Sequence, residues 1–330
     1  MRVTATTGDK PAKPAPRPST RRSKADSVAV GLLKLPEPLK AAAGDSPVQH
    51  VRVALDTRLR ALLRHDPGAR TGEDVEDVHQ MRVSVRRMRA ALAAARPLLD
   101  RDWSNELRAE LGWLGRSLGP VRDLDVMLPR LRHLADGLPA DERGAAERLI
   151  ATLDGEYAEA RREMLFALGA PRYTALLERL ADAVRLPLPT PSATEDSPEL
   201  VELVRGEYTK LRKAVRKAGQ DPPDVVLHAL RIKCKRLRYT GELAEPALGK
   251  PVRRLLAATT GLQEILGDHQ DACVTQERIR ELVAAQGETP DPTLVFVAGR
   301  LVEREHVRAE QLRTQWRAAW DKVEVRARKL

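Results

Sequence analysis

The sequence predicts an all-α chain arranged as two helical bundles, and three observations lead there. Charged residues make up 32% of the 330 residues and aromatics only 3%, with Ala, Leu, Arg and Glu frequent, a profile of helix formers rather than strand formers. Apolar residues recur at helical spacing from about Ser46 to Arg185 and again from about Pro198 onward. One histidine-led basic motif occurs twice, at equivalent places in the two blocks. A chain of this length can bury two cores.

The elements follow in order. Residues 1–45 are expected to be a disordered basic extension, rich in Pro, Thr, Ser, Lys and Arg. Within it, Leu32, Leu33, Leu35 and Leu39 are broken by Pro36 and Pro38, and no element is assigned there. Residues 46–185 form the first bundle and 198–330 the second. Between them, residues 186–197 form a linker that includes Leu186-Pro187-Leu188-Pro189-Thr190-Pro191-Ser192. Each half holds about four main helices, with short turns expected at Gly119-Pro120 and Gly267-Asp268. Trp103, Trp113, Trp316 and Trp320 are assigned to the core or the bundle ends.

Charge and cysteine usage exclude several classes. The formal net charge is +10, which points to an anionic partner. Residues 1–46 carry nine Lys or Arg against four Asp or Glu, about half of that excess. An anion site in the remainder must therefore come from clustering. Cys234 and Cys273 stand alone, so neither a zinc knuckle nor a disulfide framework is indicated and a reducing cytoplasm fits. No stretch has the length of a membrane span, and the N-terminus lacks the apolar core of a signal peptide.

The repeated motif carries the chemistry. Val78-His79-Gln80-Met81-Arg82-Val83-Ser84-Val85-Arg86-Arg87-Met88-Arg89 is answered by Leu227-His228-Ala229-Leu230-Arg231-Ile232-Lys233-Cys234-Lys235-Arg236-Leu237-Arg238. At about 100° per residue, His79, Arg82, Arg86 and Arg89 share an arc of roughly 80°. Val78, Met81, Val85, Met88 and Leu92 fill the adjoining arc, so each helix is anchored along one stripe and basic along the next. Like charges at these spacings repel by a few tenths of a kcal/mol per pair, a cost that a bound anion would offset. Two further segments match in the same order. Thr57-Arg58-Leu59-Arg60 pairs with Thr209-Lys210-Leu211-Arg212, and Ser117-Leu118-Gly119-Pro120-Val121-Arg122-Asp123 pairs with Ile265-Leu266-Gly267-Asp268-His269-Gln270-Asp271. Pro97 and Pro246 also fall at matching places. A tandem duplication is the economical explanation.

The histidine-led basic helix, the later Leu-Gly-x-x-Arg-Asp-x-Asp segment and the doubled helical plan resemble the CHAD domain, the conserved histidine α-helical domain. The resemblance covers about residues 46–330. It departs in the second half, where Gln270 replaces the arginine and Cys273 the second acid. It implies two four-helix bundles related by a pseudo-twofold axis, with basic helices lining a central groove or pore. It also implies binding of inorganic polyphosphate and a place at polyphosphate granules in the cytoplasm. The polyphosphate-binding positions then fall on His79, Arg82, Arg86, Arg87, Arg89, His228, Arg231, Lys233, Lys235, Arg236 and Arg238. Arg58, Lys210, Arg122, Asp123 and Asp271, from the other matched segments, are candidate supporting residues. No Glu-x-Glu-x-Lys signature of the triphosphate-tunnel domain found in some family members is present, so a stand-alone member is expected.

Arginine suits this task because it forks two N–H groups onto neighbouring phosphate oxygens. His79 and His228 begin their ridges near helix N-termini, which favour anions, so binding is expected to tighten below about pH 6.5. Asp123 and Asp125 are read as support at a helix start, orienting arginines or capping free N–H groups. Asp268-His269-Gln270-Asp271 lacks the further His and Asp ligands of a metal phosphohydrolase, and Gly249-Lys250 lacks the glycines of a phosphate loop. No catalytic residue, metal or cofactor is expected. Nucleic acid is the rival ligand, disfavoured by the scarcity of aromatic stacking platforms. Hydrolysis of polyphosphate is the rival activity. No membrane partner is expected.

Overall fold

In a computed structural model, residues 33–190 and 198–330 are described, and among them the regular structure is helical. Ten helices follow one another among the described residues. The first half holds α1 (Pro47–Thr71), α2 (Val75–Ala94), α3 (Arg101–Asp136), α4 (Ala140–Gly169) and α5 (Pro171–Arg185). The second holds α6 (Leu200–Ala218), α7 (Asp224–Leu248), α8 (Lys250–Ala284), α9 (Pro292–Arg313) and α10 (Trp316–Ala327).

Local chemistry sets the helix starts. Ser46 accepts from the Gln49 amide ahead of α1, Asp74 from Glu76 ahead of α2 and Asp100 from Trp103 ahead of α3. Such side-chain oxygens satisfy amides that have no partner within the helix. Glu199 and Glu202 close a capping box at the start of α6.

The turns expected at Gly119-Pro120 and Gly267-Asp268 do not exist. Both dipeptides lie inside the longest helices, α3 of 36 residues and α8 of 35. A proline inside a helix removes one hydrogen bond and crowds the preceding turn. Pro120 and Pro129 both sit on the exposed face of α3, where water can satisfy the freed carbonyls. The buried face, including Leu111, Leu114, Leu118 and Val121, keeps its apolar stripe across Pro120, and packing carries the helix through.

The four helices expected in each half are present, and each set is followed by a short fifth helix. α5 packs back on α1 and α3, and α10 packs back on α8 and α6. The parallel order of long and short helices agrees with the tandem motif, while the duplication itself rests on the sequence matches. The two halves share one hydrophobic core, running from Val51 and Leu55 in α1 to Trp316 and Val323 in α10. Trp316 and Trp320 are buried, and Trp103 and Trp113 pack at its edge. The halves meet where α2 lies against α7 and where α4 lies against α9.

Residues 33–45, expected to belong to a disordered extension, are held against the first bundle. The Leu39 amide donates to Asp56 at 2.8 Å, and Leu33, Leu35 and Leu39 pack on the core. The leucines, left without an element by the prolines among them, account for it: three apolar side chains can dock without forming a helix. The expectation for residues 1–32, and the part of the linker expectation covering 191–197, lie outside the described residues.

Candidate functional site

The α2–α7 contact turns the two basic ridges toward each other. Met81, Val85, Met88 and Leu92 of α2 are buried, as are Leu227, Leu230, Cys234 and Leu237 of α7. Those stripes fix the rotation of both helices about their axes, and the cations on the adjoining arcs meet in the cleft between the halves.

Two depressions open along that cleft. The first, of about 400 Å³, is lined by His79, Arg82, Arg86, Arg122 and Asp123 from one half. His228, Arg231, Lys235, Gln270 and Asp271 line it from the other. The second, of about 660 Å³, is lined by Arg86, Arg89, Arg96 and Arg108 together with Lys210, Lys235 and Arg236. Arg86 and Lys235 line both, so they stand where the two basins meet.

The Leu-Gly-x-x-Arg-Asp segments explain their composition here. A Cβ on Gly119 would lie 2.7 Å from Arg82 Nη1. The absent side chain leaves room for the Arg82 guanidinium to cross α3 and reach Asp123, at 3.1 Å. In the second half Arg231 passes over Gly267, its Nε 3.6 Å from where a Cβ would be, toward Asp271 at 3.9 Å. Asp123 sits in the middle of α3, so the helix-start capping role expected for it does not hold. Its other expected role, orienting an arginine, does. Asp125 stands on the same helix beside Tyr157, and burial pushes its carboxyl above the usual range.

The two histidines sit four residues into their helices but in different surroundings. His228 Nδ1 lies 2.6 Å from Gln270 Oε1. His79 faces a cation instead: burial, then Arg122, Arg86 and Arg82, hold its imidazolium below the usual histidine value. The replacement of Arg122 by Gln270 between the halves thus separates the environments of the two rings.

Several cations lack a counter-charge. Among the described residues, no carboxylate lies within ion-pair distance of Arg86, Arg89, Arg122, Lys235 or Arg236. Elsewhere on the molecule many arginines are paired, as in Arg172–Glu110 at 2.8 Å and Arg70–Asp66 at 3.0 Å. Burial, with Arg231, Arg86 and Arg82 nearby, pushes the Lys235 ammonium down to about 7. Burial also lowers Arg86, and Arg238, Arg82 and Arg231 add to the effect. The Arg86 guanidinium lies 5.9 Å from the Tyr239 ring centroid, a cation–π contact that offers partial compensation.

Three expected site residues turn elsewhere. Arg87 pairs with Glu242 at 3.0 Å across the α2–α7 contact, and Arg238 pairs with the same carboxylate at 3.1 Å. Arg58 lies beside them, its charge disfavoured by burial and then by Arg87. The Arg87–Glu242 pair fastens the halves together. Lys233 lines neither basin. Arg96, Arg108 and Arg130 line the basins and were missed. Arg96 had a signal, since it continues the Arg89 arc two residues past the end of α2. Arg108 and Arg130 had none, because only tertiary packing brings α3 to the cleft.

Residues 53–280 match the CHAD domain family. The chain belongs to the CHAD family. Two Mycobacterium tuberculosis proteins of uncharacterized function, from strains CDC 1551 / Oshkosh and H37Rv, are each 30% identical over 289 residues. Those matches cover 86% of this chain and 55% of each relative, so the chain spans about half the length of these curated relatives. Among solved structures, the CHAD domain from the plant Ricinus communis is similar with a TM-score of 0.65 and 25% identity, covering 89% of this chain and 96% of that one. PptA from Streptomyces chartreusis has the same fold, with a TM-score of 0.66 at 22% identity over 83% of this chain and 99% of that one. No helix among the described residues is long and apolar enough to cross a membrane.

Proposed function

We propose that this CHAD protein is a non-catalytic receptor for inorganic polyphosphate, which it holds along the cleft between its halves and which brings it to polyphosphate granules. One observation carries the reading: cations from both halves converge on Arg86 and Lys235 without carboxylate partners. Such a cluster opposes its own folding electrostatically, and a polyanion relieves the opposition. Asp123 and Asp271 engage arginines and limit how many cations remain free.

The lining favours polyphosphate over nucleic acid. Among the described residues, Tyr239 is the only Phe, Tyr or Trp lining either basin, and it is buried beneath arginines rather than offered for stacking. Base stacking is what single-strand binders add to phosphate contacts. In a competition assay, long-chain polyphosphate should displace duplex DNA at much lower phosphate concentration; the reverse order would favour the nucleic-acid reading.

The decisive variant removes Arg82, Arg86, Arg231 and Lys235 together, each to alanine. It should lose about 100-fold or more in polyphosphate affinity at low salt, and its log–log salt slope should flatten by about 3, as four lost contacts to a single strand imply. Helicity by circular dichroism should be kept, since these side chains lie off the buried stripes. Tagged protein should co-localise with granules and the variant should not. Normal binding by the variant would remove the cleft as the site. Metal-dependent phosphate release by purified protein, abolished in Asp123→Asn, would replace the receptor reading with a hydrolase.

A further inference from the structure

Away from the cleft's basic lining, at the start of α7, three side chains of different donor chemistry come together. His269 and Cys273 stand one turn apart on α8, and Asp224 is the first residue of α7. His269 Nε2 lies 3.2 Å from Asp224 Oδ1, and Cys273 Sγ lies 3.9 Å from the same ring nitrogen. The three donor atoms all lie within 4.8 Å of one another. We propose that Asp224, His269 and Cys273 form a zinc-binding site that fastens the start of α7 to α8.

The geometry suits a tetrahedral ion. Zinc bonds of about 2.0–2.3 Å put neighbouring ligand atoms roughly 3.3–3.8 Å apart, and the His269–Asp224 and His269–Cys273 separations of 3.2 Å and 3.9 Å lie close to that spacing. The donor set, one imidazole, one thiolate and one carboxylate, favours zinc over magnesium or calcium, which prefer oxygen alone. Zinc binds Cys273 as thiolate, and the thiol proton passes to solvent. The fourth position stays open to water.

Second-sphere groups permit the exchange. Asp224 also accepts from Arg313 Nη2. Arg313 has other acceptors in Glu310 at 3.1 Å and Asp221 at 3.4 Å, so it keeps partners when Asp224 turns to a metal. His269 is 2% exposed, which restrains the ring, while exposed Asp224 leaves a path for entry. Such a site would also steady the α7 turn that carries His228.

The test uses the full chain, stripped with a chelator, without polyphosphate, which itself binds cations; its outcome is therefore independent of the polyphosphate reading. Cobalt(II) should produce an intense near-ultraviolet thiolate-to-metal band that saturates at one equivalent and is bleached by zinc. Zinc should raise the thermal midpoint. Cys273→Ser should lose the band and weaken zinc binding by at least about tenfold. Asp224→Asn, at an exposed position, should keep the band with weaker affinity. A wild-type chain without the band, or equal zinc affinity in wild type and Cys273→Ser, overturns the site.

Discussion

Lys235 occupies the junction of the two basins, facing Arg86 and Arg82 across the α2–α7 contact and Arg231 one turn back on its own helix. Its ammonium is pushed down to about 7, first by burial and then by those arginines, with Asp271 opposing. The unfolded chain, with an ordinary lysine, therefore binds more protons than the native protein between about pH 7 and the usual lysine range near pH 10.4. Stability should rise with pH across that window, and the penalty should be fully present below it. Lys235→Met should flatten this pH dependence in thermal melts and raise the midpoint at pH 7, by roughly 2–4 °C per kcal/mol of relieved repulsion. A polyanion reverses the preference by favouring the ammonium. Polyphosphate binding near pH 8 should thus take up a proton, visible as calorimetric heats that change with buffer ionisation enthalpy; Lys235→Arg should bind without that dependence. His79 titrates in the same direction at lower pH, because burial and Arg122 depress it below the value of about 6.5 expected from the sequence.

At the scale of elements, the site depends on how closely α2 approaches α3. Gly119 lies at that approach, with Arg82 Nη1 2.7 Å from where a Cβ would stand. Gly119→Ala removes a helix-interior glycine, a gain of up to about 1 kcal/mol in intrinsic propensity. The neighbour it displaces is the far end of a flexible side chain, so the fold should tolerate it. Arg82 should lose its seat beside Asp123, and polyphosphate affinity should fall several-fold while the thermal midpoint holds or rises. A variant with unchanged affinity would show that Arg82 reaches the ligand by another path. The sequence made the glycine and the aspartate visible as a repeated motif, yet pointed to a turn. What it could not convey is that a proline on a water-facing stripe is tolerated when thirty-odd residues of apolar packing hold the other face.

For the whole molecule, the cleft exists only while the halves stay joined. Glu305 of α9 is 2% exposed and accepts from Arg130 Nε of α3 at 2.8 Å. Arg278–Glu156 and Arg300–Glu142 tie further helices across the same division, and Arg87 and Arg238 share Glu242 at the centre. Breaking a buried pair by removing one partner typically costs about 3–5 kcal/mol. Glu305→Ala should therefore lower the denaturation midpoint more than Glu110→Ala, whose pair with Arg172 is largely exposed. Equal midpoints would mean that the apolar core alone holds the halves.

The amino-acid sequence alone was enough for the helical class and the register of both basic ridges, because each depends on the 3.6-residue period and on charge at fixed offsets along one chain. Tertiary structure decided which cations remain free. Arg87 and Arg238 read as ligand contacts by spacing, but α2 and α7 bring them to Glu242. Arg108 and Arg130 carry no local signal and reach the basins only because α3 lies beside them. An ion pair forms by proximity in space, and helical periodicity encodes which way a residue faces, not what it meets.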